Sequence, residues 1–217
     1  MIKHFVSIDD LSFEAKNNQI PIAGRHSILS ALNNKNRKLH YLITTNNNLS
    51  KWNDELNKLQ LKLDIEIITK EEMDKINNYK PHQNAILVTE PLQRISLDEF
   101  LHNHISNNKI PIRLILLDEV TDPQNVGAII RSALAFKMNG LALSQRNSPQ
   151  ETSALNKASS GAIEKLQIIE LSNMSREIKK LQKGKYPTPT LRKRQKKRPR
   201  RRRRRRKKKH EGTHKNP

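Results

Sequence analysis

One short stretch of the chain combines residue types that suit the binding of a phosphate or a ribose. It runs from an aliphatic strand pattern into a helical pattern and carries, in this order, Asp122, Pro123, Asn125, Gly127 and Arg131. An aspartate can accept from the free N–H groups of a first helical turn, and proline suits the first helical position because it has no N–H to leave unpaired. We therefore expect a helix whose N-terminus faces the crevice beyond the strand, where ligands of α/β sheets lie.

Gly127 and Arg131 are four residues apart and share one face of this predicted helix. A glycine leaves that face bare, so the backbone of a substrate could approach it while Arg131 reaches over and holds a phosphate through its planar fork of donors. A structural interpretation is also open, in which Gly127 permits tight helix packing and Arg131 is a solvated surface residue. The residues alone do not decide between the two.

The positive charge of the chain is concentrated at one end. The 217 residues include 42 Lys and Arg and 21 Asp and Glu, for a net charge of +21. The segment 183–217 holds 19 of the basic residues and one of the acidic residues, so the first 182 residues carry 23 basic and 20 acidic side chains. The isoelectric point near 10.4 therefore says little about what the folded part binds.

Composition also argues against several classes of protein. The chain has no cysteine, which excludes disulfides and thiolate metal sites. His102 and His104 are two residues apart and so lie on different faces of a helix, and we predict no metal site. No apolar run approaches the roughly 20 residues that span a bilayer, and the N-terminal residues do not resemble a secretory signal. We expect a cytoplasmic protein that does not bind membranes.

The alternation of strand and helix patterns predicts an α/β fold in two domains. Residues 1–19 are predicted to form an arm, 20–92 a small α/β domain and 93–111 a linker with one helix, capped by Ser96. The alternation restarts over 112–182, where the last strand pattern, KLQIIEL, is expected to form a sheet edge without a neighbouring strand. Residues 183–217 have no periodicity and many like charges, so they are predicted to be disordered.

Several stretches resemble the SpoU (TrmH) family of RNA ribose 2′-O-methyltransferases, within the knotted SPOUT superfamily. LDEVTDPQNVGAIIRSALAF (117–136) is similar to the first signature motif of this family, and ASSGAIEKLQI (158–168) to its small-residue turn and the strand that follows. IAGRHSILSAL and HQNAILVTEP are similar to the start and end of its N-terminal substrate-binding domain. The resemblance covers residues 20 to 182 and is closest to the subgroup that modifies a guanosine of large-subunit ribosomal RNA.

The resemblance implies transfer of a methyl group from S-adenosylmethionine to a ribose 2′-hydroxyl of ribosomal RNA. It assigns catalysis to Arg131 and Asn125, and it assigns substrate binding to the following residues: Asp122, Gly127, Arg25, Ser160 and Gly161. For the turn around Ser160, a role in shaping the pocket and a role in packing are both open. The resemblance also implies a homodimer formed through the catalytic domain.

Two further motifs of the family, a glycine-rich segment with Asn-Glu and a segment with Ser-Leu-Asn, do not occur after Gln182. In the family these motifs form the trefoil knot that holds the cofactor, so we expect an incomplete catalytic domain and leave the cofactor-binding residues unassigned. The Lys- and Arg-rich segment has two interpretations. It could bind RNA phosphates, act as a nuclear signal or contact an acidic membrane, or it could be the product of a frameshift or insertion in a purine-rich sequence.

Three hypotheses about function follow. The first is an RNA 2′-O-methyltransferase by family, truncated before its cofactor knot, whose final helix is missing from the expected dimer contact. The second is a non-catalytic RNA-binding protein that uses the N-terminal domain and the basic tail. The third is a nonfunctional remnant, which poor solubility would reveal.

Overall fold

Strands and helices alternate along the chain in two successive sheets. The computed structural model describes residues 18–78, 80–105, 111–146 and 148–183. Apart from residues 18, 19 and 183, the predicted N-terminal arm and the predicted basic tail lie outside these ranges. None of the helices in the described ranges is long and apolar enough to cross a membrane.

The first half of the chain forms a mixed four-stranded sheet. Its elements are β1 (Ile20–Ala23), α1 (Arg25–Leu32), β2 (Leu39–Thr44), α2 (Asn46–Lys58), β3 (Asp64–Ile67), α3 (Lys70–Ile76) and β4 (Ala85–Thr89). The strand order is β1-β4-β2-β3. β4 lies antiparallel to both β1 and β2, whereas β2 and β3 run parallel. The α/β pattern predicted for residues 20–92 therefore forms a mixed sheet.

Both faces of the first sheet are covered, because alternate side chains of each strand point to opposite sides. The helices α1 and α2 cover one face, where Trp52 and Leu56 pack with Leu42 and Leu87. Met73 of α3 packs on the other face with a second, smaller cluster. β4 is buried along its whole length, as the continuous apolar run AILVT predicts.

The second half forms a four-stranded sheet in which all strands are parallel. Its elements are β5 (Ile95–Ser96), α4 (Leu97–Ile105), β6 (Leu114–Leu117), α5 (Pro123–Ala135), β7 (Gly140–Ser144), α6 (Ser153–Ser159), a 3-10 turn (Ala162–Lys165), β8 (Gln167–Leu171) and α7 (Met174–Lys183). The order is β5-β8-β7-β6, and each neighbouring pair is parallel. One face packs against α5 and α6, and the other against α4 and α7. The prediction of an α/β fold is confirmed.

The expectation that the strand KLQIIEL forms an open sheet edge is wrong. This strand is β8, and it pairs on one side with β7 and on the other with β5, where Ile95 lies opposite Ile169 and Ser96 opposite Glu170. The segment treated as a linker therefore contributes both a strand and the helix α4 to the second sheet. The Ser96 cap is confirmed, because its Oγ accepts from the Glu99 N–H at 3.1 Å. Among the described strands, the edge opposite β5 is formed by β6.

Candidate functional site

The helix α5 begins where the sequence predicts it. Asp122 has extended backbone angles, its Oδ1 accepts from the backbone N–H of Gln124 at 3.0 Å, and Pro123 occupies the first turn. Four residues separate the helix cap from the end of β6 at Leu117. The free N–H groups of α5 therefore lie at the carboxyl edge of the parallel sheet, the edge at which open α/β sheets bind ligands.

Asn125 and Arg131 both lie on α5 with exposed side chains. Neither side chain makes a hydrogen bond or ion pair with any other residue in the described ranges. With a rise of about 1.5 Å per residue, they stand about 9 Å apart along the helix axis. The structure thus presents to solvent a free amide near the start of the helix and a free guanidinium about two turns further on.

Gly127 is covered by α6, so the expectation of a bare face open to a substrate does not hold in this structure. A Cβ built on Gly127 would lie 2.5 Å from the Cβ of Ala158, 2.9 Å from the carbonyl oxygen of Leu155 and 3.0 Å from the backbone nitrogen of Ser159. These distances are far below ordinary contact. The structure therefore supports the packing interpretation of this glycine, which lets the axes of α5 and α6 approach closely.

The turn that holds Ser160 and Gly161 also has a packing role. Both residues have positive φ, 50° for Ser160 and 81° for Gly161. A Cβ on Gly161 would lie 2.3 Å from the Oγ of Ser30 and 3.2 Å from the carbonyl oxygen of His26, both on α1. Gly161 therefore lets the second half approach the first half. Ser160 is exposed beside it, and its Oγ donates to the carbonyl oxygen of Lys157 at 3.4 Å.

Arg25 lies at the start of α1, in the other half of the chain from Arg131. Its backbone N–H donates to Oε1 of Gln83 at 2.8 Å, and its guanidinium lies 3.4 Å from Oε1 of Glu55. The side chain is 61% exposed, and an ion pair that exposed contributes little to stability. Arg25 is therefore free to exchange Glu55 for a phosphate. Because α1 packs against α6 and the 3-10 turn, Arg25, Ser160 and Gly161 belong to neighbouring elements.

A buried cluster of charges at the junction of the two halves was not predicted from the sequence. Arg37 has a fully buried side chain and forms ion pairs with Glu151 and Glu164 of the second half. Its Nη2 lies 2.8 Å from Glu151 and donates to Glu164 as well, its Nε donates to Glu164 at 3.2 Å, and its Nη1 donates to the carbonyl oxygen of Glu90 at 2.9 Å. One guanidinium thus joins both halves and the segment between them.

The carboxylates of this cluster have further donors. Oε2 of Glu151 accepts from the backbone N–H of Leu92 at 2.7 Å, and Oε2 of Glu164 accepts from the side-chain amide of Asn34 at 2.7 Å. Burial by itself lowers the pKa of Arg37, but its hydrogen bond to Glu164 and the charge of Glu151 outweigh burial and raise the pKa overall. Arg37 is therefore charged at any pH at which the protein is folded.

One cleft of about 350 Å³ lies at the same carboxyl edge of the second sheet as the start of α5. Its lining includes Leu97, Gln145, Leu171, Ser172 and Arg176. The carboxylates that line it are already engaged, Asp98 and Glu177 by Lys180, and Glu170 by Arg94. The cofactor-binding residues stay unassigned.

Metal ligands are also not gathered anywhere in the part of the chain that the structure describes. No three His, Asp or Glu side chains in those ranges lie close enough together to hold an ion. The chemistry that the sequence predicts at the carboxyl edge therefore rests on the exposed side chains of α5 and the backbone N–H groups at its start.

Comparison with protein families matches nearly the whole described chain. Residues 21–95 match the model described as RNA 2′-O ribose methyltransferase substrate binding, and residues 113–209 match the model of the SpoU rRNA Methylase family. The chain belongs to the SpoU family. The second match continues past residue 182, where the resemblance in the sequence was taken to end, so truncation of this SpoU chain stays a prediction.

Relatives of this SpoU chain include mitochondrial rRNA methyltransferases. The protein named rRNA methyltransferase 1 of Schizosaccharomyces pombe is 29% identical over 175 residues, covering 70% of this chain and 58% of the relative. The protein of the same name from Dictyostelium discoideum is 36% identical over 132 residues, covering 50% of this chain and 24% of the relative. The chain therefore spans less than two thirds of the length of these relatives.

Solved structures share the fold of this SpoU chain. The AdoMet-bound rRNA methyltransferase of Sinorhizobium meliloti superposes with a TM-score of 0.62 at 18% identity, covering 84% of this chain and 69% of that protein. The SpoU methyltransferase AviRb of Streptomyces viridochromogenes, in complex with AdoMet, gives 0.60 at 20% identity, covering 76% and 60%. The two-sheet architecture is thus that of known SpoU methyltransferases.

Proposed function

We propose that the chain methylates a ribose 2′-hydroxyl of ribosomal RNA, with S-adenosylmethionine as methyl donor and a guanosine as the modified nucleotide. The observation that carries the proposal is the exposed guanidinium of Arg131, which has no partner among the described residues and lies on the helix that starts at the carboxyl edge of the second sheet. The matches of both halves to models of this family support it. In this proposal the first half binds the RNA and the second half holds the reacting ribose.

Arg131 orients the ribose and stabilises charge in this mechanism. A ribose hydroxyl is a weak nucleophile near neutral pH, so the removal of its proton has to be assisted as the new bond forms. An arginine is too basic to accept that proton as a simple general base. A fixed guanidinium can instead hold the neighbouring phosphate, align the hydroxyl and stabilise the negative charge that develops on its oxygen.

Asn125 acts beside Arg131 as a second contact for the RNA. Its amide both donates and accepts hydrogen bonds, so it can meet a ribose hydroxyl or a phosphate oxygen. Asp122 acts indirectly, because its carboxylate already accepts from Gln124 and fixes the start of α5. Arg25 and Ser160, both exposed on neighbouring elements, supply further polar contacts in the proposal. Gly127 and Gly161 contribute by packing the elements that carry these side chains.

The proposal predicts that Arg131→Ala abolishes methyl transfer. The test incubates the chain with ribosomal RNA and S-adenosylmethionine that carries a labelled methyl group. Nucleotides with a 2′-O-methyl group are then counted by their resistance to alkaline cleavage. We expect wild type to label the RNA and Arg131→Ala to lose activity by about a hundredfold or more, the range seen when a group that stabilises transition-state charge is removed.

Lys137→Ala is the matched control, because it removes an exposed cation just beyond the other end of α5. It should keep wild-type activity, and Arg131→Ala should keep wild-type affinity for RNA. Equal activity of wild type and Arg131→Ala would contradict the assignment of Arg131. RNA binding by wild type without any methyl transfer would instead favour the non-catalytic RNA-binding hypothesis.

We also propose that the chain forms a homodimer through its second half, as the family resemblance implies, and that it acts in the cytoplasm, the compartment expected from its composition. Sedimentation at several concentrations tests the first point, because a dimer dissociates on dilution and a monomer does not. Fractionation of cells tests the second, and recovery in an organelle would contradict it.

A further inference from the structure

The outer face of α7 carries only positive charge. Of its ten residues, Ser175, Arg176, Lys179, Lys180, Gln182 and Lys183 are exposed, and four of these six are cations. Arg176, Lys179 and Lys183 follow each other at spacings of three and four residues, so they form one row along the helix. With a rise of about 1.5 Å per residue, neighbouring charges in this row are about 4.5 and 6 Å apart along the axis.

The acidic groups near α7 do not neutralise this row. Glu177, the only acid on the helix, is buried, and its carboxylate lies 3.1 Å from Nζ of Lys180. Asp98 of α4 lies 3.4 Å from the same Nζ. Among the described residues, no acidic side chain pairs with Arg176, Lys179 or Lys183. These three cations form what we call the α7 row.

The helix that carries the α7 row starts at the same edge of the second sheet as the candidate site. Because the strands of the second sheet are parallel, α7, which follows β8, starts at the same edge as α5, which follows β6. Only β7 separates β8 from β6, so the carboxyl ends of these two strands are about 10 Å apart across the sheet. From this edge α5 and α7 continue on opposite faces of the sheet, so a polyanion that runs along α7 has to cross the edge to reach the start of α5.

We propose that the α7 row binds the phosphate backbone of the RNA substrate and thereby helps to place the ribose at α5. The choice of RNA rests on the proposed function. A membrane suits the row less well, because a helix at a membrane surface also inserts an apolar face. The apolar side of α7 is already packed in the protein, where Leu181 is 8% exposed and lies in the cluster with Phe100 and Leu171. Cations without apolar neighbours suit a phosphate backbone.

A cross-linking experiment tests the proposal at this place in the molecule. Because the chain has no cysteine, Ser175→Cys creates a unique attachment site for a thiol-reactive photo-cross-linker beside the α7 row. Lys137→Cys, exposed just beyond the end of α5, is the matched control. We expect the full chain labelled at position 175 to cross-link ribosomal RNA at least about fivefold more than the chain labelled at position 137.

A variant without the three cations tests whether the cross-link depends on the α7 row. Arg176→Gln, Lys179→Gln and Lys183→Gln together should remove most of the cross-link at position 175. They should also reduce the slope of log affinity against log salt by about 2, because each phosphate contact to a single strand contributes about 0.7. The control removes three exposed cations of the second half outside α7 by Arg113→Gln, Lys137→Gln and Lys165→Gln and should change neither quantity.

Three outcomes would overturn the proposal. These are equal cross-linking at positions 137 and 175, a cross-link that the triple variant leaves unchanged, and binding of the row to phosphatidylserine vesicles without any RNA cross-link. The proposed function is judged separately by methyl transfer. Methyl transfer without a cross-link at position 175 contradicts only the α7 proposal. A cross-link without methyl transfer contradicts only the proposed reaction.

Discussion

At the scale of residues, two arginines of this chain show how solvation decides the role of a side chain. Arg131 is exposed and has no partner among the described residues, so its donors are available to a phosphate. Arg37 is fully buried, and its donors are used by Glu151, Glu164 and a backbone carbonyl. The same guanidinium can bind a substrate in one place and join two halves of a protein in the other.

Another residue with a defined role is Glu72, which closes the capping box at the start of α3. Its Oε2 accepts from the backbone N–H of Thr69 at 2.8 Å, and the Oγ1 of Thr69 accepts from the N–H of Glu72 at 3.2 Å. The hydrogen bond from the Thr69 backbone is the main reason why the pKa of Glu72 is lowered from 4.5. A carboxylate whose pKa is depressed in the folded state stabilises the fold above its unfolded pKa and loses that effect as the pH falls through the folded pKa.

Glu72→Ala should therefore lower the free energy of unfolding at neutral pH, and the difference from wild type should shrink as the pH falls below 4.5. Urea denaturation at a series of pH values measures this. Glu71→Ala is the matched control, since it removes a carboxylate from the same first turn. It should show a smaller effect with weaker pH dependence. An effect of Glu72→Ala that is constant from neutral pH to pH 3 would contradict the capping role of its charge.

At the scale of elements, the contact between α5 and α6 determines where the candidate catalytic helix lies. Gly127 has no side chain, so Ala158 and Ser159 of α6 pack directly against the backbone of α5. The same helix presents Asn125 and Arg131 to solvent. The position of Asn125 and Arg131 therefore depends on the close contact between α5 and α6, which leaves no room for a side chain at position 127.

Gly127→Ala should destabilise the protein although alanine favours helices more than glycine. The propensity gain is at most about 1 kcal/mol, whereas overpacking of a close contact costs about 1–3 kcal/mol, and the new Cβ would meet Ala158 at 2.5 Å. Adding Ala158→Gly removes the nearest atom and should recover part of the loss. Thermal denaturation of the two single variants and the double variant gives the coupling. Wild-type stability of Gly127→Ala would show that α5 and α6 are not held this closely.

The elements themselves could largely be predicted from the sequence, because apolar periodicity and caps act over a few residues. The start of α5 at Pro123 and the Ser96 cap follow from local chemistry and are confirmed. β5 could not be predicted, since a strand of two residues has no period. Its pairing with β8 makes β5, and not β8, the edge strand on that side of the described sheet. The packing of Gly127 was one of two open interpretations, and only the position of α6 decides it.

At the scale of the whole molecule, the two halves are joined by polar and close-packed contacts. Arg37 binds Glu151 and Glu164, Gly161 lies against Ser30, and the Oγ of Ser27 lies 3.4 Å from the carbonyl oxygen of Asn156. These contacts place α1 against α6 and the turn that follows it. We therefore expect the halves to unfold together.

Arg37→Ala should separate the unfolding of the two halves. It leaves Glu151 and Glu164 buried without their cation, and breaking a buried ion pair in this way costs about 3–5 kcal/mol. Trp52 is the only tryptophan of the chain and lies in the core of the first half. Its fluorescence reports the first half, while far-UV circular dichroism reports the whole chain. The two denaturation curves should coincide in wild type and diverge in the variant.

Arg25→Ala is the control for this experiment, because its partner Glu55 lies in the same half and the pair is exposed. It should change stability by no more than about 1 kcal/mol and keep the curves together. If the curves of Arg37→Ala coincide and keep the wild-type midpoint, the cluster does not join the halves.

The cluster around Arg37 could not be predicted because its members are far apart along the chain. Arg37 is 114 residues from Glu151 and 127 residues from Glu164. Nothing in the local sequence distinguishes this arginine from the solvated ones, and no motif includes its partners together with it. By contrast, the candidate residues Asp122, Asn125 and Arg131 lie within one helix and its cap, so a local pattern was sufficient to propose them.

The division of the charge cluster between the two halves also limits how such proteins can recombine. The cation belongs to the first half and both carboxylates to the second. A chimaera that takes its first half from a relative without this arginine inherits two buried negative charges, and the reciprocal chimaera inherits an orphaned positive one. We expect a chimaera to fold only if it contains Arg37 together with Glu151 and Glu164. The soluble yield of the two chimaeras, measured with and without the missing partners restored, tests this expectation.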